Sequence, residues 1–429
     1  MATVAYPQPT SDSRLLGLAA DIERQTAQVV AYLKANDLPE PSFEETSPET
    51  PLTKEYLSLH SNLVSSLDDF RKLVDGPRIS LGSTFFMGAD CAAFQTALEF
   101  DFFRLIPLKA GIHVRGLAAK AGMDEDRAAR VLRMLATHRV FQEVEPEYFS
   151  HTAASALVNQ DEGIRSLGCM SMDEILKAGA STADCIKKSP YESDSVHSPF
   201  ATAMGVPLFQ YYSTRPQQGA RFAKGMSGIA SLDRPVNELK LGFSWDRVKG
   251  KVVDVGGGSG HVSMALARDF PNLQFVVQDS MISSLKEGER IITPDISDRV
   301  SFEQYDFFTP QPQRDVAVFL IRHCIHNWSD NDAVRILRAF VPGLEGSAPG
   351  TPLLLNDTIM PKAGTLPRHE ERRNRQFDIM MLQVLGSKQR TREEFATILR
   401  KADPRLEIKR VYTDGATGVL EVHLDKGEA

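Results

Sequence analysis

The sequence predicts an α/β chain: a mostly parallel, doubly wound sheet with a C-terminal antiparallel hairpin, preceded by a mainly α-helical region carrying a winged-helix pattern. Three observations predict it. From Lys251 onward, short apolar β-branched runs alternate with stretches of helical spacing, as stacked βαβ units do. The first of these runs, KVVDVGGGSG (251–260), packs four glycines between a strand and the helical HVSMALARDF. Earlier, residues 111–158 read as helix, glycine turn, helix and small β-wing.

At 429 residues the chain has room for two or three domains with proper cores. The boundaries are expected at 1–75 (N-terminal helices and linker), 76–165 (winged-helix domain), 166–235 (a helical, substrate-covering segment) and 236–429 (the sheet). Its composition, 42% hydrophobic and 24% charged, is that of a soluble globular protein, and a net charge of −7 argues against nucleic acid as the main partner. Cys91, Cys169, Cys185 and Cys324 are scattered without C-x-x-C spacing, so neither a disulfide framework nor a zinc site is expected. That usage fits a reducing, cytoplasmic setting. No apolar run reaches membrane-span length, and MATVAYPQPTSDS lacks the regions of a signal peptide.

In chain order, the first dozen residues are expected to be disordered. Leu15 to Leu33 carries a helical apolar stripe, 37–53 is a proline- and acid-rich linker, and Tyr56 to Val74 is helical again. Such paired helices outside a catalytic core serve association. In the winged-helix stretch, VRGLAAKAGM breaks at Asp124 before DRAARVLRMLATHRVF, and EVEPEYFSHT forms the wing. Arg127, Arg130 and Arg133 raise DNA binding as a rival function. However, Leu132, Met134 and Leu135 accompany them in an acidic setting, so dimerisation or substrate covering is the preferred role. Met170 to Ser227 is helical and rich in Phe200, Met204, Phe209, Tyr211, Tyr212, Phe222 and Met226, which either pack a core or wall an aromatic pocket. Strands follow at 251–255, 273–278, 300–305, 315–322 and 352–357, then an antiparallel pair at 406–413 and 417–424. Helices are expected at 261–270, 281–291, 330–341, 369–385 and 391–402.

The chemistry starts at the glycines. Lacking a Cβ, they take φ > 0 and let a ligand lie against the backbone. Their spacing is G-x-G-x-G, not the G-x-G-x-x-G of a dinucleotide site, and Asp254 precedes them. An acid there repels a diphosphate and suits a cation such as the sulfonium and ammonium of S-adenosylmethionine. Asp279 ends the next apolar run, where a ribose diol is gripped. A dinucleotide, or a bare turn, is the alternative. Ligands in such sheets sit beyond the strands' carboxyl ends, where Asp254, Asp279, Asp306, His326 and Asp357 all fall. His326, between the strand DVAVFLIR and a helix capped by Ser329 and Asp332, is a natural base for a phenol, and Asp357 is placed to hold its other ring nitrogen. A histidine merely capping the loop is the bland alternative. His323 is expected to face away and Trp328 to pack beneath the loop. No His/Asp/Glu cluster has ligand spacing, so no metal is expected.

The ordered series VVDVGGGSG, FPNLQFVVQDS, YDFF, FLIRHCIHNWSD, LLLNDTIMP and FDIMMLQVLGSKQRTREEF resembles the S-adenosylmethionine-dependent, plant-type small-molecule O-methyltransferases. It is most similar to their fungal branch, which methylates phenolic polyketides and related secondary metabolites, and the likeness runs from about Ala92 to Leu424. The resemblance implies a Rossmann-like methyltransferase domain and a homodimer built through the winged-helix domain. It places Gly256 and Gly258 at the cofactor, Asp279 at its ribose, and Asp306 and Phe307 around the adenine; Asp254, Gly257 and Ser280 complete the expected cofactor-binding set. Arg322 stands where a cofactor-contacting lysine is common. His326 matches the general base, Asp357 a carboxylate orienting it, and Met381 a methionine clamping an acceptor ring walled by Phe200, Met204, Phe209 and Tyr212. Two positions depart: Asn327 replaces an acid, and Gln389 replaces a second base-orienting glutamate. Gln389 adds no charge, which implies a less assisted base. A non-catalytic scaffold and an NAD-dependent oxidoreductase are the other readings.

Overall fold

The computed structural model describes residues 13–232, 237–413 and 417–427; the opening dozen, expected to be disordered, lie outside them. The chain packs as two units. One comprises residues up to Leu176 together with Arg215–Ile229 and Ala363–Arg373; the other comprises Lys177–Thr214, Ala230–Lys362 and the chain from Asn374. The stretch 166–235 is thereby divided, residues 177–214 packing with the sheet and 215–229 with the N-terminal helices.

In the first unit, helix Arg14–Ala35 starts at an N-cap, Ser13, whose hydroxyl accepts the Leu16 N–H. The second helix, Lys54–Phe85, runs well past Val74. At Gly76 the backbone turns to φ 66°, and Pro77, which has no N–H to donate, opens the next turn, so the helix kinks and continues. Beyond the kink Ile79, Leu81, Phe85 and Phe86 point to solvent, the two phenylalanines each 77% exposed. The winged-helix pattern is present: helices Val114–Ala121 and Glu125–Thr137, then strands β2 (Phe141–Glu145) and β3 (Tyr148–His151), with β1 (Ile112–His113) completing a sheet of order β1-β3-β2. Asp124 is the N-cap of the second helix, its carboxylate accepting the Arg127 N–H at 3.1 Å. Phe102, Leu117, Leu132, Phe141 and Phe149 are fully buried beneath. Of the arginines that raised DNA binding, Arg133 pairs with Glu143 at 2.7 Å and Arg130 with Asp126 at 3.8 Å, which leaves little net positive charge on that face.

The second unit is built on a seven-stranded sheet of order β6-β5-β4-β7-β8-β10-β9. Its strands are β4 (Gly250–Val255), β5 (Leu273–Asp279), β6 (Val300–Gln304), β7 (Val318–Arg322), β8 (Pro352–Thr358), β9 (Leu406–Thr413) and β10 (Thr417–Leu424). The first five are parallel; β10 runs antiparallel to β8 and to β9. β7 begins three residues later than expected because Asp315 takes φ 53°, outside strand geometry. Val253, Val255, Phe319, Ile321, Leu353 and Leu355 face one apolar layer, and Val252, Phe275, Val277, Val318, Leu320 and Leu354 the other. Burial on both faces is why these strands read as unbroken apolar runs. Among the described residues no helix is long and apolar enough to cross a membrane.

Candidate active site

β4 lies between β5 and β7, and the chain leaves it through the glycines. Gly256, Gly258 and Gly260 have φ of 72°, 59° and 74°, a region that costs side-chain-bearing residues dearly. The Gly256 and Gly257 N–H groups donate to the Gln278 carbonyl at 2.8 and 3.1 Å, and the Gly258 N–H donates to Asp279 Oδ2 at 3.0 Å. The turn is therefore folded onto the end of β5. A Cβ on Gly257 would fall 2.8 Å from the Asp254 carboxylate, whereas one on Gly258 would meet nothing within 4 Å. Gly258 is the open side. Asp254 lies buried beneath, with Oδ2 accepting the Ser263 hydroxyl at 2.7 Å, which ties the turn to the following helix. Burial pushes its carboxyl up to about 6, against the opposing pull of Ser263 and Arg322.

Asp279 is half-buried at the end of β5. Its second oxygen accepts the Met281 N–H at 2.8 Å, and Ser280 beside it is exposed. After β6, Asp306 is exposed and accepts the Phe308 N–H, while the Phe307 ring edge lies 3.8 Å from where a Gly256 Cβ would sit. Phe307 and Phe308 pack edge-on against Trp328, with centroids 5.7 and 4.9 Å away. Arg322 closes β7, and its charge acts on Asp254 and His261.

From Arg322 the chain turns sharply. His323 has φ 46°, a single turn of 3₁₀-helix covers Ile325–Asn327, and Ser329 caps helix Asp330–Glu345. The Asp332 carboxylate bonds the Ser329 hydroxyl at 3.0 Å instead of a backbone N–H, so the capping box is incomplete. His326 is held by Asp357 twice: Nδ1 is 2.9 Å from Oδ1, and the backbone N–H donates to Oδ2 at 3.1 Å. Gln389 reaches the same nitrogen, its Nε2 3.2 Å from Nδ1, while its Oε1 is buried without a partner among the described residues. An Nδ1–H that donates to Asp357 repels a second donor, so both facts favour the amide turned over, with Oε1 accepting from Nδ1–H. Burial alone would push the imidazole down; the Asp357 carboxylate, helped by Gln389, outweighs it and raises the His326 pKa. Burial likewise opposes ionisation of Asp357, yet the His326 imidazole keeps its carboxyl below the usual range. Asn327 donates its side-chain amide to the His323 carbonyl at 3.2 Å and braces the turn.

Cys324 joins the two halves of the site, its sulfur 3.4 Å from where a Gly256 Cβ would be. Burial, with Asp357 and Asp279 nearby, pushes that thiol up to about 12. Sequence reasoning missed Arg390. Only 1% exposed, it donates to the Ile325 and Trp328 carbonyls and to Asp330, pinning the His326 loop from below. A basic residue in GSKQRT carries no signal of burial, so nothing in the sequence singled it out.

Three expectations need correcting. His323 does not face away: its Nδ1 lies 3.9 Å from Asp357 Oδ1, and its ring centroid is 5.7 Å from that of His326. The backbone turns at His323 with φ 46°, ahead of the 3₁₀ turn at Ile325–Asn327, and both imidazoles come to one side of it. Folding thus gathers ligand atoms of His323, His326 and Asp357 within 4.8 Å, although their sequence spacing suggests no cluster. Phe209 is 46% exposed, because the short helix Leu208–Ser213 buries Leu208 and Tyr212 and turns position 209 outward. Phe200 is fully buried edge-on to Tyr211 at 5.5 Å and beside Tyr212 at 6.2 Å, Met381 is buried, and Met204 is half-buried.

A family profile described as an O-methyltransferase domain matches residues 183–403. O-methyltransferase sol2 of Alternaria solani is 52% identical over 415 residues, covering 97% of this chain and 96% of that protein. O-methyltransferase pyvH of Aspergillus violaceofuscus is 32% identical, covering 96% and 99%. Among solved structures, OxaC in complex with SAH and oxaline aligns with a TM-score of 0.73 at 19% identity, over 95% of this chain and 100% of that one. LepI in complex with SAM gives 0.71 at 18% identity, over 94% and 98%.

Proposed function

The chain belongs to the S-adenosylmethionine-dependent O-methyltransferase family, and from that premise we propose that it methylates a phenolic hydroxyl of an aromatic polyketide or related secondary metabolite, with His326 as general base. The observation that carries the reading is the doubly held imidazole: Asp357 takes Nδ1 and the backbone N–H of His326, which commits the ring to one tautomer and one orientation.

The residues fit the cofactor. The backbone of Gly256–Gly258 is open on the Gly258 side, with the half-exposed Asp279 at its edge for a ribose diol and the Phe307 ring edge near Gly256; Ser280, Asp306 and Arg322 complete the set we assign to the cofactor. When bound, S-adenosylmethionine supplies an electrophilic methyl group on a sulfonium. The protein's own part is to align the acceptor oxygen and to remove its proton. With the hydrogen on Nδ1 directed at Asp357, Nε2 keeps its lone pair for the acceptor's O–H. As the proton arrives, Asp357 stabilises the imidazolium, while Gln389 contributes only a neutral acceptor. Met381, Met204, Tyr212 and Phe200 supply the apolar, aromatic character suited to a flat acceptor; Phe209 drops out of that set.

The exposed apolar side chains beyond the Gly76 kink support a homodimer built through the N-terminal helices, because monomeric proteins rarely leave such a patch uncovered. Four free cysteines accord with work in the cytoplasm. The deciding experiment pairs labelled methyl donor with a panel of phenolic polyketides, for the unmodified chain and for His326→Ala. Transfer should fall about 10²- to 10⁴-fold in the variant, with cofactor affinity retained. Full transfer by His326→Ala, or loss of cofactor binding in its place, would sink the assignment.

A further inference from the structure

We propose that His323, His326 and Asp357 form a divalent-cation site, of the kind that takes Zn²⁺ or Co²⁺, and that its occupation switches the base off. The switching half rests on the assignment of His326 above; the site itself rests on geometry alone. Both Nδ1 atoms converge on one carboxylate oxygen, at 3.9 Å from His323 and 2.9 Å from His326. A tetrahedral ion with metal–ligand bonds of about 2.0–2.2 Å holds its ligands roughly 3.3 Å apart, which these two distances bracket. The positive φ of His323 is the feature that turns its ring to this side, and few residues besides glycine take that conformation without reason.

The donor set is two imidazoles and one carboxylate, which selects zinc-like ions over magnesium or calcium; the latter require an oxygen-rich shell. Asp357 is 3% exposed and anionic, while His323 and His326 keep 29% and 16% of their side chains accessible, so an ion can enter from the open side and retain a water or substrate as its fourth ligand. The consequence for catalysis follows from proton placement. A metal–nitrogen bond forms at His326 Nδ1, the hydrogen bond from Nδ1 to Asp357 is lost, and the proton of the neutral imidazole moves to Nε2. Nε2 then carries a hydrogen and has no lone pair with which to accept one from the acceptor's hydroxyl. Methyl transfer stops with no change in the cofactor's own contacts.

The test uses the full chain. Titration with Co²⁺ should produce the intense visible absorption of a four-coordinate ion, and His323→Ala should abolish it. In the transfer assay Zn²⁺ should inhibit, EDTA should restore activity, and Mg²⁺ should have no effect. The half-inhibiting Zn²⁺ concentration should rise at least about 10-fold in His323→Ala, since losing a ligand weakens metal binding no less than losing an outer-shell partner does. Absence of the Co²⁺ band, or inhibition undiminished in His323→Ala (as binding to Cys91 or Cys169 would give), overturns the site. A His323-dependent band with transfer undisturbed leaves the site standing and overturns His326 as the base.

Discussion

One carboxylate holds both ends of the His326 residue: Asp357 Oδ1 lies 2.9 Å from the ring nitrogen Nδ1, and Oδ2 accepts the backbone N–H at 3.1 Å. The ring cannot turn away without breaking one bond, and the loop cannot lift without breaking the other. Asp357→Asn keeps the shape and removes the charge. It should cost about 10²- to 10³-fold in turnover while leaving cofactor affinity within about twofold, measured by single-turnover kinetics and calorimetry. Equal losses in both would mean that Asp357 supports the fold and not the base.

The same pair makes activity and stability run in opposite directions with pH. The folded His326 pKa is raised, so the imidazolium persists to higher pH than a free imidazole would, and turnover is lost as pH falls through that raised value. For stability the sign reverses: the contribution of His326 is complete below its unfolded pKa and is lost as pH rises through the folded one. The melting-temperature gap between the unmodified chain and His326→Ala should therefore narrow with rising pH while transfer increases. In Asp357→Asn burial is left largely unopposed, so the acid limb of the rate profile should move to lower pH. A limb that stays put would remove Asp357 from the titration.

Gln389 reaches the nitrogen that Asp357 already holds, but without charge. Gln389→Glu adds a second anion beside the imidazolium. The acid limb should move further upward, and poorly acidic phenols should gain more turnover than acidic ones, as a Brønsted series would reveal. An unmoved profile would show that the amide at this position has no bearing on the base.

Much of this site was legible because its chemistry sits at strand ends. Periodicity located β4, β5, β7 and β8 and drew attention to the polar residues at their carboxyl ends, Asp254, Asp279 and Asp357 among them, whereas Arg322 stood out only through the family resemblance. The tie between Asp357 and His326 followed from the two strands being neighbours. What the sequence could not show was where the backbone leaves ordinary conformations. Sequence spacing turns His323 away from the cleft, because no pattern announces a non-glycine residue at φ 46°. Phe209 looked like a pocket wall because an aromatic on a short helix has no periodicity long enough to separate its inner face from its outer one. The continuation of the second helix through Gly76 and Pro77 reads, residue by residue, as a stop.

Arg390 tests whether the base loop is positioned from below. Its guanidinium satisfies the Ile325 and Trp328 carbonyls on either side of His326 and pairs with Asp330. Arg390→Met fills similar space and leaves those carbonyls without their donor, at roughly 1–3 kcal/mol for each buried group. The expected result is a lower melting temperature together with a turnover loss of about 10- to 100-fold, since small misplacements of a catalytic group are costly. Arg390→Lys should recover part of the stability but little of the turnover, because one ammonium cannot span three acceptors as the planar fork does. Turnover restored in full by lysine would argue that charge alone matters there.

The glycine turn offers the sharpest separation of folding from binding. Gly257 and Gly258 are adjacent, yet a methyl group added to each meets opposite surroundings. On Gly257 it would strike the Asp254 carboxylate at 2.8 Å and Val277 at 2.9 Å, both held in place by packing. Gly257→Ala should therefore destabilise the protein, and lower cofactor affinity only as far as the turn is displaced. On Gly258 the methyl would enter open space, with the left-handed φ of 59° costing roughly 1–2 kcal/mol. That open space is where the cofactor is proposed to lie, so Gly258→Ala should lose affinity for S-adenosylmethionine by more than its modest stability loss explains. Differential scanning fluorimetry with and without cofactor separates the two: Gly257→Ala should melt early but keep most of its ligand-induced shift, and Gly258→Ala should melt nearly normally with the shift much reduced. The reverse pattern would place the cofactor on the other side of the turn.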